Sequence, residues 1–172
     1  MPTLIVIAGP NGAGKTTFAQ EYLSSEERYF EFVNADEIAR NLGRSSDILA
    51  ARLMLARIDE LIGAGGDLAI ETTLASLAYS RKMPSWRKRG YFISLAYLRL
   101  DSVEQSIARV RKRVAAGGHD IPQDIIRRRF AKSWRYFESI YRPIVDEWYI
   151  WASREGGFSL IDSWDGRHAP RA

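Results

Sequence analysis

The sequence has no cysteine and only two histidines, His119 and His168, far apart in the chain. This excludes a disulfide framework and a thiolate metal site, and argues against structural zinc. It also lacks any apolar run approaching the roughly 20 residues that cross a bilayer, and the first such run, Leu4 to Ala8, is too short for a signal-peptide core. There is no internal repeat, low-complexity tract or linker. A soluble, cytoplasmic chain folded as one domain is therefore expected, since 172 residues with 46% hydrophobic and 27% charged content support a single core. Lysine is scarce as well: twenty of the 25 basic residues are arginine, whose planar fork suits bidentate contacts to phosphate or carboxylate. Between Asp101 and Arg142 stand ten basic and five acidic residues, so the positive field is concentrated on one segment while the rest sums to −1. An anionic ligand or a solvated basic face explains that segment equally well.

Apolar runs alternate with segments of helical period, the pattern of a parallel sheet covered by helices. Thr3 to Ala8 reads as a buried central strand and Glu31 to Asn34 as a shorter one. From the cap candidate Ser46, the residues Ile48, Ala51, Leu55, Ile58 and Ile62 recur at helical spacing until Gly63, Gly65 and Gly66. A strand follows over Asp67 to Glu71, then a helix over Tyr79 to Arg89, kinked or restarted at Pro84, and a strand over Tyr91 to Leu100. Ser102 and Gln105 form a capping box ahead of the stripe Val103, Ile107, Val110 and Val114. After Gly117 and Gly118, Pro122 opens a helix that reaches about Tyr141, where Pro143 breaks or restarts it. Trp148 to Ala152 and Phe158 to Ile161 read as terminal strands. The expected fold is a three-layer αβα with about five parallel strands.

Gly9, Pro10, Asn11, Gly12, Ala13, Gly14, Lys15 and Thr16 match G-x-x-x-x-G-K-[ST], placed between a buried strand and a helix that begins near Lys15. Glycines let the backbone turn with its N–H groups inward, and the following helix N-terminus reinforces that positive cradle. The pattern predicts ATP bound by residues 9 to 17, including Thr17. Lys15 then reaches the β- and γ-phosphates, and Thr16 is a ligand of Mg²⁺.

Such a loop does not by itself choose among ATPase, switch and kinase, so the next carboxylate decides. Asp36 follows the second strand, with Arg40 one turn along the same helical face. At the carboxyl end of a parallel strand it suits a general base for an attacking hydroxyl, and it equally suits a helix cap. Glu71 closes Leu68-Ala69-Ile70 as an acidic strand end, followed by Thr72 and Thr73. A metal-bound water, a substrate hydroxyl or no ligand at all are open readings for it. Taking Val103 as zero at about 100° per residue, Arg109 and Arg113 fall near −120° and −80° on one flank, whereas Arg111 and Lys112 point elsewhere. The loop Gly117 to Pro122 then reads as the hinge of an arginine-bearing lid over about 109 to 129. Of Arg127, Arg128 and Arg129, successive residues cannot all face one site, and Arg128 or Arg129 is favoured. His119 is a substrate contact or a solvated loop residue. The aromatic-rich tail, Trp134 to Trp151, reads as core and not as a base-stacking platform.

AGPNGAGKTT, VNADEIA, IETTL, the pair Arg109-Val110 and Arg113-Val114, and GGHDIP together resemble the zeta-toxin family of P-loop kinases, in particular its small chromosomal members, from about Leu4 to Ile161. The resemblance implies ATP- and Mg²⁺-dependent phosphorylation of the 3′-hydroxyl of UDP-N-acetylglucosamine, with a sugar nucleotide as substrate and an antitoxin protein as possible partner. It also implies Lys15 and Thr16 in the nucleotide loop, Asp36 as base, Glu71 and Thr72 on the substrate side and the lid arginines, Arg109 and Arg113 among them, as the phosphate clamp. From the residues' own positions Asp36, Arg40, His119 and Arg128 are added as substrate-side candidates. The chain is shorter than the toxins of known substrate, and its arginine spacing differs. Two other readings stand beside it: a polynucleotide 5′-hydroxyl kinase, which shares the Asp-x-x-x-Arg arrangement of Asp36 and Arg40, and a non-enzymatic nucleotide-binding switch. Nucleic acid is not the expected partner, and a membrane is not either.

Overall fold

A computed structural model describes residues 1–34, 38 and 47–166. The cap candidate Ser46, together with Asp36, Arg40 and His168, lies outside them. The elements are β1 (Thr3–Ala8), α1 (Lys15–Ser24), β2 (Glu31–Asn34), α2 (Asp47–Ala64), β3 (Leu68–Thr72), α3 (Ala78–Lys88), β4 (Phe92–Arg99), α4 (Val103–Ala115), α5 (Gln123–Tyr136), β5 (Glu147–Arg154) and β6 (Gly157–Trp164). Between α5 and β5 the chain makes a π-turn over Phe137–Tyr141 and a 3₁₀ turn over Arg142–Ile144.

The strands form one sheet in the order β2-β3-β1-β4-β5-β6. The first five strands are parallel, as the alternating pattern predicts, and β6 is added antiparallel to β5. After β1 the chain moves to β2 at one edge, returns to β3, and crosses to β4 on the far side of β1. Ligands of open α/β sheets bind where the winding direction reverses, at the carboxyl ends of the strands, so the crevice opens beside β1.

Because β1 is covered on both faces, its residues are apolar without alternation. Leu4, Val6 and Ala8 join Met54, Ile58 and Ile62 of α2, Met83 and Trp86 of α3, and Phe137 and Tyr141 of the π-turn. Ile5 and Ile7 point the other way, to Phe18 and Ala19 of α1. These two apolar layers on one sheet make the three-layer αβα architecture. A third, smaller cluster, Ile107, Val110 and Ile126 with Val103 and Val114 against it, holds α4 to α5.

Local signals worked as expected at α4, where the Ser102 hydroxyl accepts from the Gln105 N–H at 3.1 Å. Gln105 answers not on Ser102 but on Asp101, whose N–H it accepts at 3.1 Å. Two expectations need correction. The α3 helix runs through Pro84 without restarting, anchored on both sides by buried Met83 and Trp86. The last strand extends to Trp164, beyond Ile161, because backbone pairing with β5 continues where the apolar pattern has stopped.

Candidate active site

The ends of the five parallel strands and the first half of α4 build the site. The loop after β1 begins at Gly9, whose φ is +148°, and a Cβ there would lie 2.5 Å from the Leu98 carbonyl oxygen of β4. At Gly12, φ +77°, a Cβ would lie 2.9 Å from the Ser106 carbonyl oxygen of α4. Glycine therefore serves two physical needs here, a left-handed turn and room for neighbouring backbone. Inside the loop the Ala13 N–H donates to the Pro10 carbonyl at 3.2 Å, and no side chain caps α1 after Gly14. A helix N-terminus without a side-chain cap is suited to an anion, which its N–H groups and dipole favour.

Lys15 is buried and its Nζ donates to the Pro10 carbonyl at 3.1 Å. The neighbouring Thr16 and Thr17 are exposed, and the Thr16 hydroxyl donates to Glu71 Oε2 at 2.8 Å. Asn34, at the end of β2 and only 8% exposed, donates from Nδ2 to the same carboxylate oxygen at 3.0 Å. The register explains this meeting: Glu71 pairs across to Ile7 of β1 on one side and to Asn34 of β2 on the other. Thr72 is tied to the phosphate loop by its carbonyl, which accepts from the Gly9 N–H at 3.3 Å. Its hydroxyl accepts from the Leu74 N–H at 3.0 Å.

Helix α4 closes one wall. Buried Ser106 donates through Oγ to the Asn11 carbonyl. Arg109 donates from Nη1 to Ser153 Oγ at 2.6 Å and to the Gly12 carbonyl at 3.4 Å, and from Nη2 to the Ser153 carbonyl at 3.2 Å. Arg113, one turn on, is exposed and bonds the His119 carbonyl at 3.1 Å. The shared flank predicted for the two arginines thus separates along the helix axis, and only Arg109 of this pair contacts the phosphate loop. Arg111 and Lys112 are exposed, as their angles imply. Arg127 pairs with Glu104 at 3.2 Å between two exposed side chains, Arg128 and His119 are exposed, and Arg129 is half-buried.

The residues present fit a nucleotide's phosphates: a glycine cradle, a buried lysine and an uncapped helix end converge on one loop. The Asn11 amide oxygen is also buried without a partner among the described residues, a group that a bound donor or ordered water would satisfy. No group of three or more His, Asp or Glu among the described residues is placed to hold a metal on its own, so an ion here would depend on Thr16 and the phosphates. None of the described helices is long and apolar enough to cross a membrane.

Sequence reading missed Asn34, Ser106 and Ser153. Asn34 left one trace, a buried-strand position occupied by an amide instead of an apolar residue. The two serines leave no local signal, because their partners stand 95 and 44 residues away.

Fold and loop together define a P-loop α/β protein of the three-layer αβα type. A family model described as AAA domain, AAA_33, matches residues 4–140, so the chain belongs to that family. An uncharacterised protein of Haemophilus influenzae is 28% identical over 130 residues, covering 73% of this chain and 91% of that one. Among solved structures, one from the PezAT chromosomal toxin-antitoxin system of Streptococcus pneumoniae superposes with TM-score 0.69 at 20% identity, covering 95% of this chain and 72% of that one. A chain of the Pnkp1/Rnl/Hen1 RNA repair complex superposes with TM-score 0.67 at 24% identity, covering 81% of this chain and 46% of that one. At these identities the likeness establishes the fold.

Proposed function

We propose that the protein is an ATP-dependent phosphotransferase acting on a hydroxyl of a small molecule, and that the 3′-hydroxyl of UDP-N-acetylglucosamine is the first acceptor to test. The observation that carries this reading is the chain of contacts Thr16–Glu71–Asn34, which puts a carboxylate from β3 and an amide from β2 beside the phosphate loop. In P-loop proteins that cleave or transfer a γ-phosphate, a strand-end carboxylate beside the loop threonine serves the metal of the bound nucleotide, and Asn34 adds a polar group next to it. The likeness to a chain of a toxin-antitoxin system supports an antitoxin protein as partner; the sugar-nucleotide acceptor and a cytoplasmic place of action rest on the sequence resemblance.

In this reading the loop N–H groups and Lys15 hold the triphosphate; Thr16 would hold a magnesium ion, with Glu71 bonded to Thr16 beside it, and the ion would neutralise charge on the transferring group. Asp36, two residues beyond Asn34, takes the proton of the acceptor hydroxyl as its oxygen bonds to the γ-phosphorus and the bond to ADP breaks. Arg40, Thr72, His119 and Arg128 serve the acceptor side. The helix pair α4–α5, joined by its own small apolar cluster, acts as a lid over about 109 to 129, with Arg109 as its phosphate contact and Arg113 reaching the site only on closure. The whole chain then works as a single kinase domain.

The likeness to the RNA repair complex and the basic segment between Asp101 and Arg142 favour a polynucleotide 5′-hydroxyl as the second acceptor class. Measuring ADP release with and without each acceptor separates the two. A chain gripping several phosphates loses affinity steeply between ~50 and 200 mM salt, and a single sugar nucleotide does not. Acceptor-dependent release that survives Asp36→Ala unchanged removes Asp36 as base; release independent of every acceptor overturns the kinase reading.

A further inference from the structure

The loop that joins β3 to α3 is held in a form that its own sequence does not favour. Leu74 has φ +53°, the only positive value among the described non-glycine residues, and its side chain is fully buried in the main core. An L-residue enters this region at a cost and stays only where its surroundings fix it. Two of the fixing bonds are local: Leu74 N–H to the Thr72 hydroxyl at 3.0 Å, and Ala78 N–H to the Ser76 hydroxyl at 3.1 Å.

The third comes from 65 residues away, where the Tyr141 hydroxyl donates to the Ser76 carbonyl. Tyr141 is the last residue of the π-turn and is fully buried, its ring packed in the same core as Leu74. A π-turn is rare and tends to occur where function needs it, because each inserted residue rotates the downstream chain by roughly 100° relative to a continuous α-helix. Here the insertion gives Tyr141 its aim. A phenylalanine would fill the same space, so the hydroxyl serves the polar groups around it, the Ser76 carbonyl of the loop and Ser80 and the Tyr79 backbone at the start of α3. Burial also pushes the phenol up to about 12, which keeps it a neutral donor throughout the ordinary pH range.

We infer that Tyr141 is a positioning residue for the phosphate acceptor, acting through the Ser76 carbonyl on the Leu74 loop and thereby on the Thr72 side chain, whose hydroxyl accepts from the Leu74 N–H. This rests on the kinase reading above. The nucleotide side of the crevice is fixed by contacts that do not pass through the Leu74 loop: Lys15 to Pro10, Ser106 to Asn11, Arg109 to Gly12, Thr16 to Glu71 and the Gly9 N–H to the Thr72 backbone carbonyl. The acceptor and nucleotide sides should therefore respond separately to loss of the hydroxyl.

The test compares the full-length protein with its Tyr141→Phe variant. A panel of sugar nucleotides, sugars and a 5′-hydroxyl oligonucleotide is screened for transfer from γ-labelled ATP, and the acceptor found is titrated. The expected result is a roughly tenfold rise in acceptor KM with kcat changed less than about twofold. Affinity for a fluorescent ATP analogue should be unchanged, and amide exchange at Leu74 should be faster. A variant with wild-type acceptor KM, or one that loses acceptor and ATP affinity together, overturns the assignment while leaving the kinase intact. A wild type that hydrolyses ATP yet phosphorylates no panel member overturns the functional reading, and the assignment with it.

Discussion

Removing the Glu71 carboxylate should separate what it does for the fold from what it does for the reaction. Glu71 Oε2 accepts two hydrogen bonds, one from exposed Thr16 and one from Asn34, which is almost fully buried. In Glu71→Ala the Thr16 hydroxyl turns to water at little cost, but one Asn34 N–H loses its acceptor in a confined place, a loss of about 1–3 kcal/mol. For a chain of this size, 1 kcal/mol corresponds to about 2–4 °C, so the melting temperature should fall by about 2–12 °C. Glu71→Gln keeps an oxygen that can accept both bonds and should stay within about 1 kcal/mol of wild type. It loses the negative charge, however, and on the proposed mechanism its acceptor-dependent turnover should fall about as far as that of the alanine variant. Thermal unfolding by circular dichroism and coupled ADP release measure the two quantities. An alanine variant that melts at or above the wild-type temperature would refute the stabilising network. A glutamine variant as active as wild type would show that the charge plays no part.

Gly12→Ala should weaken ATP-analogue binding and lower stability by roughly 2–4 kcal/mol, since it combines a left-handed φ with a contact 2.9 Å from the Ser106 carbonyl. A nucleotide titration and an unfolding curve check both. Arg109→Ala should cost about 10²-fold in turnover, and Arg113→Ala should cost less, since Arg113 reaches the site only on closure; equal losses in kcat under identical conditions would refute the difference. Asp59→Asn tests the junction of α2 and α3, where Lys82 bonds one carboxylate oxygen at 2.6 Å and the Trp86 indole N–H bonds the other at 3.0 Å. Partial burial pushes this carboxyl up, but the bonds from Lys82 and Trp86 outweigh it and hold it below its usual 3.8. The stability it adds is therefore present above that value and is lost as pH falls through the depressed one. The melting gap between wild type and variant should be full at neutral pH and shrink only in strong acid; a gap that widens on acidification reverses the sign.

The phosphate loop was legible because its chemistry is written at consecutive positions and its strand and helix carry separate periodic signals. The inner face of α4 was legible for the same reason: Val103, Ile107, Val110 and Val114 repeat at helical spacing, and all four pack toward α5. Pairings across the fold were not. Nothing in the residue types of Ser106, Ser153 or Tyr141 says which loop each will face, since that depends on which elements the sheet order makes neighbours. The outer strand was under-read because β6 is exposed along most of its length and so has no buried face to impose alternation.

The two lid arginines show most clearly where such reading stops. A helical projection gives the angle of a side chain but not its height along the axis. Four residues are about 6 Å of rise, and the bonds from α4 to the phosphate loop come from the level of Ser106 and Arg109. Docking is set by Gly12, where absence of a side chain lets the Ser106 backbone approach, and Arg109 stands at that level beside Ser153. Arg113 is carried past the loop to the His119 carbonyl, although its angle differs from that of Arg109 by only about 40°. The deciding information was therefore the depth at which α4 rests on β1's loop, fixed by one glycine and one serine hydroxyl that no charge pattern or periodicity singles out.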